Sequence, residues 1–211
     1  MTATDDDATQ LPPGLWDRLR LDPVRAPEHI ALAAGRTFGP QAARWAEEKR
    51  GRYSVAPAEL AKMAKKRHAT LARFEGAATG VGGVVTMVPD LVALSWIQAR
   101  LVFYVAAAYG YDPQDRMRPA ELLVLHGFYP DPATARQALD GAGSTIAQAY
   151  IGSKLQRDEA LALRLAKMLG VRSARKLAGR LIPGVAIAFN AVGNERRTRA
   201  LADRAIRFYG G

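Results

Sequence analysis

The sequence predicts an all-α protein, a single helical domain built around a central apolar, Gly/Ala-rich helical hairpin. Ala, Leu, Arg and Gly dominate the 211 residues, and alternating Val/Ile/Thr runs are nearly absent. The most apolar stretch covers residues 76–113, and Pro89-Asp90 interrupts it. Because a chain of this length suits one domain, we divide it into a disordered or irregular acidic segment, 1–26, and a helical domain, 27–211.

Small residues form a stripe in the first arm of the hairpin and again near the C-terminus. Gly76, Gly80 and Gly83 are spaced i, i+4, i+7, which places them on one face of a helix. Gly184 and Ala188 begin a second stripe with the same spacing. Such stripes allow another backbone to approach closely, so we expect them to pack against each other or against the second arm.

Asp90 begins the predicted second arm, which runs to Ala108 and ends at Tyr109-Gly110. At a helix N-terminus its carboxylate would accept hydrogen bonds from free backbone N–H groups and meet the positive end of the helix dipole. We predict a capping role. Pairing with Arg100, or binding a cation or a partner's lysine, is the alternative.

Prolines and glycines divide the rest of the chain into shorter helices. The helix opening at Pro57 has apolar residues at helical spacing on one side and lysines on the other. We predict helices over these ranges: 27–35, 40–51, 57–76, 119–129, 133–156 and 158–169.

The net charge of +10 is concentrated in two blocks. Segments 41–75 and 171–211 carry +5 and +7, and such fields favour anionic partners. The candidate residues for an anionic surface are Lys62, Lys65, Lys66, Arg67, Arg172, Arg175, Lys176, Arg180, Arg196, Arg197 and Arg199. A merely solubilising, solvated face is the alternative. Nucleic acid is disfavoured because the sequence contains no recognisable recognition helix or zinc module.

Asn194 and Thr198 lie one turn apart in the predicted C-terminal helix. In a tightly packed body they would hydrogen-bond across to the hairpin, to Asp90 or Gln98. Loss of such a buried contact leaves unsatisfied groups costing about 1–3 kcal/mol each. A ligand-binding role for the pair is the alternative.

No catalytic or cofactor motif is recognisable. The chain has no Cys, so thiolate nucleophiles and thiolate metal sites are impossible. Its three histidines, His29, His68 and His126, do not stand at ligand spacing, and His126 precedes Gly127 where a helix should end. The glycines at 80–83 lack the Lys-Ser/Thr of a phosphate-binding loop. We therefore expect a protein that is not an enzyme and has no metal or cofactor.

The apolar hairpin is a poor membrane span. Its first arm, 77–88, would be about 18 Å long against a hydrocarbon core of about 30 Å. In the second arm Arg100 costs about 2.5–3.5 kcal/mol, which roughly cancels the gain from its apolar residues. We predict a buried core helix, with interfacial insertion as the alternative. The acidic start lacks the basic, then apolar pattern of a signal peptide, which predicts a cytoplasmic protein, with peripheral contact to the inner membrane face left open.

Two blocks of sequence together resemble the EcsC protein family. The first is the glycine pattern followed by Pro-Asp-Leu and an apolar helix ending in Tyr-Gly-Tyr-Asp-Pro; the second is Ile-Pro-Gly at 182–184 with Asn194, Thr198 and Ala205. The resemblance covers Pro57 to Tyr209, although the family often has another Gly near Ala188.

The resemblance implies a helical, often membrane-associated accessory protein without an established activity. The family is named for a protein encoded beside the subunits of an ABC transporter. The expected partner is an anionic membrane surface or a transporter-type membrane complex. A soluble scaffold, a homo-oligomer, or a binder of a small apolar ligand in a cavity beside the hairpin are the alternatives.

Overall fold

The computed structural model describes residues 10–78, 84–144, 154–169 and 191–211. These residues form eight α-helices and one short 3-10 turn, and they contain no strand, which confirms the all-α prediction. The elements are α1 (Leu15–Leu21), the 3-10 turn (Pro23–Arg25), α2 (Ala26–Arg52), α3 (Pro57–Ala78), α4 (Val84–Ala108), α5 (Arg118–Leu125), α6 (Pro132–Ser144), α7 (Lys154–Met168) and α8 (Ala191–Gly210).

Helix α4 is the centre of the described structure. Helices α2, α3, α7 and α8 all pack against it. From Leu91 to Ala108 every residue except Ala93 is buried, and large side chains such as Trp96 and Phe103 are completely enclosed. The most apolar part of the sequence is therefore the core of the fold, as hydrophobic burial requires.

The predicted break at Pro89-Asp90 is wrong. Helix α4 begins at Val84 and continues through Pro89, whose ring is exposed. Proline there removes only the hydrogen bond to the carbonyl of Val85, close to the helix start. The two helices that pack against each other in this part of the chain are α3 and α4, and Gly76 lies near the C-terminal end of α3. The other residues of both predicted stripes, Gly80, Gly83, Gly184 and Ala188, lie outside the described residues.

The two short helices predicted over 27–35 and 40–51 are one continuous helix, α2, with Pro40 inside it. Packing against α4 explains why the helix continues. The rings of Phe38 and Trp96 approach to 4.5 Å between centroids, on the turn that precedes the proline. Burial of this aromatic pair offsets the intrahelical hydrogen bond that proline removes.

One other boundary differs from the prediction. Within segment 1–26, expected to be disordered or irregular, α1 forms and buries Leu15 and Leu19 against the body. The helix expected over 133–156 is present over Pro132–Ser144, and residues 145–153 lie outside the described residues.

Helices α4 and α5 end in the same way. Gly110 (φ +88°) and Gly127 (φ +75°) adopt the left-handed conformation that glycine tolerates. After α4, the Tyr111 N–H donates to the carbonyl of Ala106 at 3.1 Å, and the Gly110 N–H donates to that of Ala107 at 3.1 Å. This is the Schellman pattern, and it confirms the predicted end of the apolar helix at Tyr109-Gly110.

The side chain of Arg50 on α2 also satisfies the C-terminal end of α4. Its Nη2 donates to the carbonyls of Ala107 and Ala108, the latter at 3.3 Å. A guanidinium there meets the last carbonyls of the helix and the negative end of the helix dipole.

Two glycines allow α2 to pack closely on the segment between α4 and α5. A Cβ atom on Gly35 would lie 2.9 Å from the ring of Pro119, and one on Gly39 would lie 2.9 Å from the carbonyl oxygen of Pro113. The two glycines are spaced i, i+4, so the close approach that small-residue spacing favours occurs on α2.

We predict that Gly39→Ala destabilises the protein by about 1–3 kcal/mol, because the new methyl group meets backbone that cannot move aside independently. Gly51→Ala is the matched control in the same helix, since a Cβ there meets nothing within 4 Å. It should be neutral or stabilising by up to about 1 kcal/mol. Urea unfolding measures both changes, and equal midpoints for the two variants would contradict close packing at Gly39.

Candidate functional site

Helices α3 and α8 pack side by side and run antiparallel. Lys65 pairs with Asp203, and Arg73 lies 3.8 Å from Glu195. Because moving eight residues forward on α3 corresponds to moving eight residues back on α8, the two axes point in opposite directions. The basic α3 block and the described part of the C-terminal block are thus neighbours in space.

Each helix of this pair carries five cationic and two anionic side chains. We call their outward surface the basic face; its exposed cations are Lys62, Lys66, Arg73, Arg196, Arg199 and Arg207. Arg204 is also exposed, but its Nε donates to the carbonyl of Leu125 on α5. Three apolar side chains on the same two helices are also exposed: Phe74 (68%), Phe208 (41%) and Met63 (40%). A surface of this composition can attract an anionic partner and also offer apolar contact.

Some predicted anionic-surface residues are engaged within the pair. Lys62 Nζ donates to Glu59 at 2.6 Å, and Arg199 Nε donates to Glu195 at 2.9 Å. Arg67 and Arg197 are partly buried, and burial lowers the pKa of Arg197. Four other candidates lie outside the described residues: Arg172, Arg175, Lys176 and Arg180.

The predicted polar contact between α8 and α4 is present. Gln98 Nε2 donates to Thr198 Oγ1 at 3.3 Å, and Thr198 is fully buried. Asn194, one turn earlier, is also buried, and its Oδ1 has no hydrogen-bond partner among the described residues. Asp90 lies inside α4, six residues after Val84, so the predicted N-cap role is wrong. The Gln98–Thr198 hydrogen bond joins α8 to α4 within the core.

Arg100 is a buried cation in the middle of α4. It is 4% exposed, and its guanidinium carbon lies 5.1 Å and 5.7 Å from the ring centroids of Tyr104 and Phe38. Nη2 donates to the Tyr104 hydroxyl at 3.1 Å, while Nε and Nη1 have no hydrogen-bond partner among the described residues. No described carboxylate pairs with it. The aromatic faces therefore supply most of the compensation for its lost hydration.

A second buried polar cluster was not predicted. Arg118 Nη1 lies 2.5 Å from Glu121 Oε2, and the Tyr209 hydroxyl donates to the same oxygen at 2.6 Å. Burial raises the pKa of Glu121 and that of Tyr209. All three residues are buried, so the cluster anchors α8 to α5 and is not open to a substrate. Tyr209 lies 88 residues from Glu121 in the sequence, and no local motif indicates the cluster.

His126 ends α5 as predicted, because it is the C-cap residue. Its Nδ1 donates to the carbonyl of Met168 at 2.7 Å, and burial lowers its pKa to about 4. His68 lies 2.8 Å from the carbonyl of Ala64, and His29 lies 3.1 Å from Asp22. Among the described residues no group of three His, Asp or Glu side chains is arranged to hold a metal ion.

Helix α4 is long and apolar enough to cross a bilayer over Val88–Ala108, with a mean hydropathy of 1.6. However, 94% of its most apolar window is buried by the rest of the chain. It is the one such helix among the described residues, and its burial is that of a core helix. This agrees with the predicted core position.

The fold and the basic face together define an all-helical domain with an enclosed apolar centre and a cationic two-helix surface. The chain belongs to the EcsC protein family, whose model matches residues 46–210. A segment of 58 residues is 38% identical to the uncharacterized protein YdbA of Bacillus subtilis (strain 168), covering 28% of this chain and 21% of that relative. No solved structure matches this chain significantly.

We predict that the stability contributed by neutral His126 is lost in acid. The pKa in the folded state is about 4, below the unfolded value of 6.5, so the unfolded chain takes up its proton first as the pH falls. The stability contributed by neutral His126 is complete above pH 6.5 and decreases as the pH falls toward 4, by about 3 kcal/mol at most. When urea unfolding is measured from pH 6.5 to pH 4, the free energy of unfolding should fall less for His126→Asn than for the wild type. Glu121 titrates with the opposite sign in both proteins and cancels in the comparison. Parallel pH profiles would contradict the assignment.

We predict that Arg100→Met leaves the free energy of unfolding unchanged or raises it, because methionine fills the aromatic pocket without a desolvated charge. Arg100→Lys should lower it, since an ammonium group is more strongly hydrated and cannot stack on the rings. Chemical denaturation distinguishes the two. A large loss of stability in Arg100→Met would show that the guanidinium is a net stabilising group.

Proposed function

We propose that this protein attaches peripherally to an anionic membrane surface through the basic face of α3 and α8, and that it acts by binding and not by catalysis. The observation that carries the proposal is the antiparallel pairing of the two basic helices, which makes their exposed cations neighbours in space. The family is named for a protein encoded beside the subunits of an ABC transporter, which is consistent with a role at a membrane.

The electrostatic part of the attraction comes from cations that internal ion pairs do not neutralise. Lys66, Arg196 and Arg207 are exposed, and no described carboxylate forms an ion pair with them. Near an anionic bilayer each such residue contributes about 1 kcal/mol. Arg73 and Arg199 share Glu195, so their contribution is smaller.

The apolar part comes from the side chains that interrupt the basic face. Phe74 is 68% exposed, which is an unusual position for phenylalanine on a helix that is packed on its other side. Reversible attachment to a bilayer generally needs two signals, charge and apolar insertion. Phe74 and Met63 supply the second signal on the same helix as Lys62 and Lys66.

The buried polar groups support a binding role. Two hydrogen bonds within the core, Gln98 to Thr198 and Tyr209 to Glu121, join helices to one another. A catalytic constellation needs such groups in contact with a substrate. The groups that do face solvent on α3 and α8 are fixed positive charges, which suit attraction to an anionic surface.

Flotation with vesicles tests the proposal. At low salt the protein should float with phosphatidylcholine vesicles that contain phosphatidylglycerol, stay unbound with pure phosphatidylcholine, and be released by high salt. The double variant Lys66→Glu with Arg196→Glu should lose flotation. The control, Arg18→Glu with Arg44→Glu, makes the same change in net charge at exposed residues of α1 and α2 and should float as the wild type does.

The other outcomes are equally specific. Equal loss in both double variants would mean that net charge, and not the basic face, governs binding. No flotation with either vesicle at low salt would contradict lipid attachment. A monodisperse protein that is indifferent to both lipid and salt would indicate the soluble scaffold instead.

A further inference from the structure

A cleft separate from the basic face lies between α2, the start of α5 and α6. Its volume is about 310 Å³. The lining residues are Leu32, Gly35, Arg36, Pro40, Gln114, Asp115, Arg116, Pro119 and Arg136. The cleft is lined by α2, α6, the start of α5 and the turn before it, whereas the basic face is on α3 and α8, so the two sites use different helices.

Three guanidinium groups line this cleft. Arg36 and Arg116 are exposed, and neither side chain forms an ion pair with a described carboxylate. Arg136 is held in place, because its Nη1 donates to the carbonyl of Arg116 at 2.8 Å and its Nη2 to Asp140 at 2.5 Å. Its Nε is buried without a hydrogen-bond partner among the described residues. The cleft thus combines one oriented cation with two available ones.

The one carboxylate in the lining is directed to other partners. Asp115 Oδ1 accepts from the backbone N–H of Met117 at 2.8 Å, and its Oδ2 lies 3.9 Å from Arg118. Asp115 therefore stabilises the turn before α5, and the three arginines of the lining outnumber this one carboxylate.

The remaining wall is rigid and partly apolar. Leu32, Pro40 and Pro119 contribute hydrocarbon surface, and Pro119 is fixed by its close contact with Gly35. Because Pro40 has no N–H, the carbonyl of Arg36 also lacks its usual intrahelical donor. A ligand here would meet guanidinium groups on one side and an apolar wall on the other.

We propose that this cleft binds a phosphate monoester, with the phosphate on Arg36, Arg116 and Arg136 and the organic part against Leu32 and the two prolines. Guanidinium groups match phosphate oxygens in geometry and can form paired hydrogen bonds with them. A phosphate monoester carries up to two negative charges at neutral pH, which the excess of arginine accommodates. The volume is at the lower end of the range for ligand pockets, about 300–1,000 Å³, so the ligand is small.

Calorimetric titration with three matched probes tests the ligand chemistry. Phenyl phosphate has both the anion and an apolar body, benzoate replaces the phosphate by a carboxylate, and benzyl alcohol has no charge. We expect phenyl phosphate to bind at least tenfold more tightly than benzoate, and benzyl alcohol to give no measurable heat. Absence of binding by phenyl phosphate, or equal affinity for benzoate, would overturn the proposal.

Two substitutions place the binding in the cleft. Arg36→Ala and Arg116→Ala should each weaken phenyl phosphate binding at least tenfold, and both variants should fold because the two side chains are exposed. Circular dichroism and the melting temperature check folding. Arg44→Ala, an exposed arginine on the same helix outside the cleft, should bind as the wild type does. Equal affinity in Arg36→Ala, Arg116→Ala and Arg44→Ala would overturn the assignment.

A lipid headgroup also presents a phosphate group. Vesicle flotation distinguishes binding of a headgroup from binding of a soluble phosphate monoester. The double variant Arg36→Ala with Arg116→Ala should float with vesicles containing phosphatidic acid as the wild type does. If this variant lost flotation while phenyl phosphate failed to bind the wild type, the soluble ligand would be rejected in favour of a headgroup. The double variant Lys66→Glu with Arg196→Glu should still bind phenyl phosphate. The proposal of a phosphate monoester site would therefore hold even if the proposal of membrane attachment failed.

Discussion

The rest of the structure depends on the burial of α4 from Leu91 to Ala108. A helix buried in this way has little water to satisfy its polar side chains, so each must find a partner inside the fold. Ser95 donates back to the carbonyl of Leu91 at 2.7 Å, and Gln98 donates across to Thr198 on α8. Among the described residues Arg100 contacts aromatic faces and no carboxylate. The contacts of Gln98 and Arg100 thus join α8 and α2 to the core helix.

Sequence reasoning found the features that local chemistry controls. Composition predicted an all-α fold, glycine after an apolar run predicted the end of α4, and spacing predicted that Asn194 and Thr198 share a buried face. It failed at Pro40 and Pro89, where packing on the core outweighs the single hydrogen bond that proline removes. The pairing of Lys65 with Asp203 joins residues 138 positions apart, which no local pattern reveals. The glycines at 35 and 39 did carry a visible signal, the same i, i+4 spacing used for the predicted stripes.

The two surfaces that attract anions are built differently. On α3 and α8 the charges are spread along two paired helices that also expose Phe74 and Phe208, which suits a broad surface. In the α2–α6 cleft three arginines line a small volume, which suits one small molecule. Helices α2, α3, α5 and α8 all pack on α4, and neither surface requires a polar group of the core to reach solvent.

The distant pairing of α3 with α8 also affects how the chain is made. During synthesis α3 and α4 leave the ribosome about a hundred residues before α8, and the apolar side of α4 that α8 covers stays uncovered for that time. At about 5–20 residues per second the interval lasts roughly 5–20 seconds, long enough for exposed apolar surface to associate with other chains. Proteins with a high helical content normally fold rapidly. Because of this delay, production of this protein should nevertheless depend strongly on chaperones that bind unfolded chains.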